Sequence, residues 1–197
     1  MPVLDTFTFY LLVANVTSFV VHAVHYLFPR ADGRDRVSAA IRGIISAAGG
    51  AAGTLLAFLL WDRRVVKDNA WQHVLALSSA VLWGTAFCFV YLHPFDAQAF
   101  TDSLLVPRKS LGAYLLAVNL TTLATFGIDK LKAVRQGWRI PEAVLLGLCV
   151  AGGTLGGLLG MAVFHHKVRS PQFAYGAPLI MVSQLAVATY LISAGLL

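Results

Sequence analysis

Gly49-Gly50-Ala51-Ala52-Gly53-Thr54-Leu55-Leu56-Ala57 returns 103 residues later as Gly152-Gly153-Thr154-Leu155-Gly156-Gly157-Leu158-Leu159-Gly160. Small residues recur every four positions in both copies, a spacing that lets apolar helices approach closely. The neighbouring sequence repeats as well. Upstream, Tyr10-Leu11-Leu12-Val13-Ala14-Asn15-Val16-Thr17-Ser18 returns as Tyr114-Leu115-Leu116-Ala117-Val118-Asn119-Leu120-Thr121-Thr122, and Arg36-Val37 as Arg139-Ile140. Downstream, Trp61-Asp62-Arg63-Arg64-Val65 returns as Phe164-His165-His166-Lys167-Val168. A constant offset of 103 or 104 residues is poorly explained by chance likeness between apolar segments and indicates a duplication.

Composition fixes the class. Hydrophobic residues make up 58% of the 197 and charged residues 12%, against about 25% charged in a soluble domain. Mean hydropathy is +0.73. Apolar runs of bilayer-crossing length are expected over 6–28, 38–61, 71–92, 111–127, 142–164 and 176–196. Trp61, Trp71 and Trp138 fall near run ends, where interfacial aromatic rings are favoured. The first run has no Lys or Arg before it and is expected to stay as a helix rather than act as a cleaved signal. The expected fold is all-α and integral to the membrane, with six transmembrane helices. A first repeat covers 1–93, a connecting loop 94–109 and a second repeat 110–197.

Three spans per repeat is an odd number, so the second repeat is expected to enter from the opposite side, as an inverted repeat. On that count seven Lys or Arg lie on one face and eight, with Arg42, on the other. The positive-inside rule then gives no orientation.

The second half resembles the bacterial membrane family called domain of unknown function 1294. The resemblance rests on Asn119, Gly127-Ile128-Asp129-Lys130 with Ala133, Arg139-Ile140-Pro141-Glu142, Gly152-Gly153 with Gly156, and Phe164-His165-His166-Lys167-Val168. His165 and Val168 depart from the family's Arg and Thr. The first half is the more diverged copy: His25-Tyr26 stands where the second has Asp129-Lys130, and Ala39 where it has Glu142. The resemblance implies three spans per copy and a location in the bacterial inner membrane, and it brings no assigned activity.

Three groups of residues are candidates for function. Asn15, Ser18, His22 and His25 lie within about 80° of one another on a helix, and Asn119, Thr122 and Asp129 form the matching stripe. Polar groups at membrane depth must face protein or water, so the stripe is either a solute or proton path or a set of interhelical hydrogen bonds. Gly49, Gly53, Gly152, Gly156 and Gly160 read as a packing face, or alternatively as an unwound segment near the midplane. Lys130, Arg139, Glu142, His165, His166 and Lys167 border two loops. Those loops are expected on opposite faces, because one span separates them, so one catalytic cluster from both requires that span to be broken.

Several classes are not expected. Cys88 and Cys149 sit in apolar runs and read as inert thiols. No cofactor or metal site is expected, since zinc spacing is absent and His165-His166 point about 100° apart on a helix. No phosphate loop is expected, because no strand precedes the paired glycines and no Gly-Lys-Ser/Thr follows, and no nucleic-acid partner, because the basic residues behind the net charge of +6 are spread over both faces without aromatic interleaving. Three readings remain. The first is a small transporter or channel with a path between the repeats. The second is a non-catalytic scaffold or accessory subunit that binds membrane-protein partners, copies of itself or anionic lipid headgroups. The third is an enzyme acting on a lipid headgroup, without assigned catalytic residues.

Overall fold

The computed structural model describes residues 5–28, 38–65, 69–104, 106 and 108–196. The expected Arg36 and Val37 of the first repeat lie outside them. The described residues are helical throughout apart from turns and short loops. Among the described residues, six segments are long and apolar enough to cross a membrane. The chain divides into two compact units, Met1–Gly84 and Thr85–Leu197.

In the first unit, α1 (Thr6–Leu27) starts where the Asp5 carboxylate accepts from the Thr8 amide at 2.8 Å. Then come α2 (Ala39–Ile45), a wide π turn over Ser46–Gly50, and α3 (Ala51–Trp61). The Ser38 hydroxyl caps α2. The helix α4 (Ala70–Tyr91) follows. The second unit has the short α5 (Ala97–Leu104), α6 (Lys109–Val134), α7 (Glu142–Leu148), a second wide turn over Cys149–Gly153, α8 (Thr154–Phe164), the single-turn α9 (Pro171–Ala174) and α10 (Gly176–Ser193).

The decisive feature is at the two wide turns. Gly49 has φ 109° and Gly152 φ 106°, a left-handed conformation that costs glycine little and L side chains much more. Each breaks its segment in the middle. In the second unit the chain doubles back. A straight helix of 23 residues would be about 34 Å long. Yet Lys167 Nζ, just past the end of α8, lies 2.6 Å from Glu142 Oε1, at the start of α7. Moreover, α8 runs alongside α6 in the same direction: Gly152 faces Leu115 and Val118, Gly160 faces Leu123 and Phe126, and Gly127 faces Phe164. Thus α7 and α8 form a hairpin with its tip at Gly152 and its mouth beside Asp129.

The first unit repeats the design. Gly43 on α2 meets Leu75 on α4, and the Ala47 carbonyl accepts from Trp83 Nε1 at 2.8 Å. The chain then returns through Gly53 against Asn15, Phe58 against His22 and Trp61 against Tyr26. The segments 38–61 and 142–164 therefore have the length and apolarity of spans, but each is a bent pair of helices. This corrects the expectation that the loops at the ends of 142–164 lie far apart. An apolar helix interrupted by paired glycines has no polar punctuation, so a sharp return reads in sequence as a continuous run.

Glycine contacts divide by position. Gly49 and Gly152 make the turns. Gly53 and Gly156 sit directly against the backbones of Asn15 and Asn119, and Gly160 against Phe126. These last three are the close-packing positions of α3 and α8 on α1 and α6.

Candidate functional site

A helix ends with four carbonyls that lack intrahelical donors. At membrane depth, leaving them bare costs several kcal/mol each. The tip of the second hairpin meets this demand with side chains. Gln184 Nε2 donates to the carbonyls of Cys149 at 2.8 Å and Val150 at 3.0 Å. The Tyr114 hydroxyl donates to Ala151 O at 2.6 Å, and Asn119 Nδ2 to Gly152 O at 3.0 Å. Asn119 Oδ1 accepts from the Gly156 amide at 2.6 Å, clamping the start of α8.

The first hairpin is capped in the same manner. The Tyr10 hydroxyl donates to Ala48 O, and Asn15 Oδ1 accepts from the Gly53 amide at 2.9 Å. Ser18 and Thr54 share a hydroxyl hydrogen bond at 2.7 Å. His22 Nδ1 donates to Ser18 O at 2.8 Å, and Thr122 Oγ1 to Val118 O at 2.7 Å. His25 packs edge-on against Tyr26. Asn15, Ser18 and Asn119 thus hold the hairpins to α1 and α6, whereas the hydrogen bonds of His22 and Thr122 stay within their own helices. Tyr10 and Tyr114 belong to the repeated segments but escaped notice, because a tyrosine in an apolar run reads as apolar. Trp83 and Gln184 were missed too, although a glutamine inside an apolar span is itself a signal of a buried polar contact.

The mouth of the second hairpin gathers most of the charged motifs. Asp129, near the end of α6, is completely buried. Its Oδ1 accepts from the Ile140 amide at 2.9 Å, and its Oδ2 from His166 Nε2 at 2.7 Å. Glu142 Oε1 pairs with Lys167 Nζ, and Glu142 Oε2 accepts from Gln172 Nε2 at 2.5 Å. Lys167 Nζ also lies 5.4 Å from the centre of the Phe173 ring, and Phe173 packs edge-on against Phe126. Both carboxylates therefore hold partners on both oxygens, and the two loops expected apart are joined by three side-chain contacts. Gln172 is a member that sequence reasoning missed.

Local backbone explains the arrangement. Gln136, at φ 53°, ends α6 and lets Gly137 N bond back to Lys132 O at 2.9 Å. Pro141 precedes α7 and puts Glu142 in its first turn. His165, at φ 46°, ends α8 in a left-handed conformation. That turns His165 outward, while His166 points in to Asp129. Lys130 is half-buried, whereas Lys132, Arg135, Arg139 and Arg169 are exposed. Among the described residues, no group of three or more His, Cys, Asp or Glu is placed to hold a metal ion. Cys88 and Cys149 are free thiols, Cys149 buried.

The first unit has a different mouth. Asp62 accepts from the Tyr26 hydroxyl at 3.0 Å and from Asn69 Nδ2 at 2.8 Å, while His73 Nε2 meets the Asp62 carbonyl oxygen at 3.0 Å. Among the described residues, Asp62 there does the joining that Asp129 and Glu142 do in the second unit.

Comparison with known proteins falls on the same half. The family described as "Protein of unknown function (DUF1294)" matches residues 119–173. That interval begins at the Asn119 clamp and ends just past Gln172, so it contains the whole mouth cluster. The uncharacterized protein YsdA of Bacillus subtilis (strain 168) is 41% identical over 81 residues, which are 41% of this chain and 91% of YsdA. No solved structure matches. With 91% of that relative covered at 41% identity, and the hairpin and its clasp inside the interval that the family matches, the chain belongs to the DUF1294 family.

Proposed function

We propose that this chain is a multi-pass protein of the bacterial inner membrane that acts as a non-catalytic scaffold, binding partners or lipid at its hairpin mouths. The observation that carries this reading is the use of the polar stripe. Asn15, Ser18 and Asn119 satisfy backbone and side-chain groups at the hairpins, and Thr122 bonds back within α6, which favours a packed interior over a solute path. The mouth cluster favours a clasp over a catalytic centre. A general base must reach the proton it takes, whereas Asp129 is buried and both its oxygens are occupied.

The hairpins also change the membrane arithmetic. Each half then crosses twice and re-enters once. An even number of crossings per half replaces the odd number on which an inverted arrangement rests. Taken one half at a time, the charge supports this. In sequence, the first mouth is flanked by Arg30, Arg34, Arg36, Arg63, Arg64 and Lys67, and the second by Lys130, Lys132, Arg135, Arg139, Lys167 and Arg169. Apart from Arg42, within α2, only Arg108 and Lys109 remain. The positive-inside rule, silent for six crossings, assigns each mouth to the cytoplasmic side.

One observation keeps transport as a second reading: broken helices at membrane depth recur at transport sites. A flux panel separates the two. Proteoliposomes of the intact chain are expected to pass protons, monovalent ions and small solutes no faster than protein-free liposomes. Asn119→Leu is expected to lower stability by about 2 kcal/mol, through loss of its tip hydrogen bonds, as read by thermal melting. Flux above the protein-free control that Asn119→Leu abolishes, without a change in melting, contradicts the scaffold reading.

A further inference from the structure

We propose that the mouth of the second hairpin is a binding site for the phosphate of an anionic lipid headgroup, held by Arg139 and Arg169 with Trp138 seated in the interface. The inference rests on the reading of that mouth as membrane-facing and names its ligand.

Charge in this half of the sequence is one-sided. Beyond Asp102 the chain has only two acidic residues, Asp129 and Glu142, against Lys109, Lys130, Lys132, Arg135, Arg139, Lys167 and Arg169, besides Arg108. Both acids are engaged inward. Asp129 is held by Ile140 and His166, and Glu142 by Lys167 and Gln172. Among the described residues of this hairpin and its loops, no carboxylate is left to neutralise the rim. Among the described residues Arg139 and Arg169 have no ion-pair partner, and both are exposed.

The clasp also fixes where the two arginines stand. Arg139 adjoins Ile140, whose amide is bonded to Asp129, and Arg169 is two residues past Lys167, which is bonded to Glu142. Each is therefore within about 7 Å of chain from a crosslink between the loops. A guanidinium presents paired donors that match phosphate oxygens. Trp138 is 85% exposed, an unusual position for an indole in water but a favoured one at the headgroup level. A basic rim beside an exposed tryptophan at the end of apolar helices complements an anionic leaflet.

The test uses the full chain in a neutral detergent, titrated with short-chain phosphatidylglycerol, short-chain phosphatidylcholine and inorganic phosphate, and read by tryptophan fluorescence. Phosphatidylglycerol is expected to bind, and phosphatidylcholine at least about tenfold more weakly. Arg139→Gln with Arg169→Gln is expected to weaken phosphatidylglycerol binding about thirtyfold, from two interfacial arginines. The Arg139→Lys and Arg169→Lys pair is expected to recover most of it. Lys109→Gln, at the opposite end of α6, is expected to bind as wild type does, and each variant to melt as wild type does. Equal binding of the two lipids, or an unweakened double glutamine variant, overturns the proposal. Inorganic phosphate binding as tightly as phosphatidylglycerol overturns the lipid assignment. A chain that conducts ions, yet loses only lipid binding in the double glutamine variant, overturns the scaffold reading and leaves this one standing.

Discussion

Asp129→Ala is expected to destabilise the second unit by about 3 kcal/mol or more, the cost of taking a buried carboxylate away from two hydrogen-bond donors. The carboxylate is completely buried and holds two groups from different loops, the Ile140 amide and the His166 ring. Alanine leaves both without an acceptor in a space closed to water, so the loss exceeds that of a single hydrogen bond. For a unit of this size the melting midpoint falls by roughly 10 °C. Asp129→Asn keeps an oxygen for Ile140 and is expected to lose less. His166→Ala combined with Asp129→Ala is expected to cost less than the sum of the two, because they share one contact. Circular dichroism melts of the four proteins check this. An Asp129→Ala protein that melts within about 1 kcal/mol of wild type removes the clasp from the account.

Gly156→Ala is expected to prevent close packing of α8 on α6. A Cβ on Gly156 falls on the carbonyl group of Asn119, well inside van der Waals contact, and the obstacle is backbone rather than a mobile side chain. The helices must separate, which also breaks the bond from the Gly156 amide to Asn119 Oδ1. The combined loss is about 3–5 kcal/mol, in the range for overpacking together with a broken buried polar contact. Gly53→Ala meets the Asn15 backbone in the same way and is expected to behave alike in the first unit. Gly112→Ala and Gly147→Ala are the controls. A Cβ at either meets nothing within 4 Å, so both are expected to be neutral or slightly stabilising, since alanine is the better helix former. Yields of monodisperse protein and thermal melts distinguish the pairs.

Gly156 stands in a repeat that is plain in the sequence, whereas the partners of Asp129 are not. The duplication was legible, and with it the pairing of Asn15 with Asn119 and of the glycine stretches. So was the likelihood of hydrogen bonding along the stripe, since buried polar groups need partners. The hairpins were not. A run of 23 residues from Glu142 to Phe164 satisfies every length criterion for a crossing. Only the backbone angle at Gly152 distinguishes a return from a kink, and glycine allows both. That error separated His166 and Lys167 from Asp129 and Glu142, and hid the mouth cluster although its charged members and His166 were each already singled out. Gln172 and Gln184 were unreadable for a further reason. Their partners, Glu142 and the hairpin-tip carbonyls, lie 30 or more residues away, beyond any local pattern.

The doubled-back hairpin carries the rest: the clasp, the proposed crossing count and the proposed cytoplasmic placement of the rim all fail without it. The direct measurement is sided labelling of single cysteines at the two ends of the segment. Trp138→Cys and Arg169→Cys, each in a chain with Cys88→Ser and Cys149→Ala, are exposed to a membrane-impermeant maleimide in sealed vesicles of known orientation. Labelling of both positions from the same side is the predicted result. Labelling from opposite sides means that residues 142–164 cross the bilayer once, and contradicts the account.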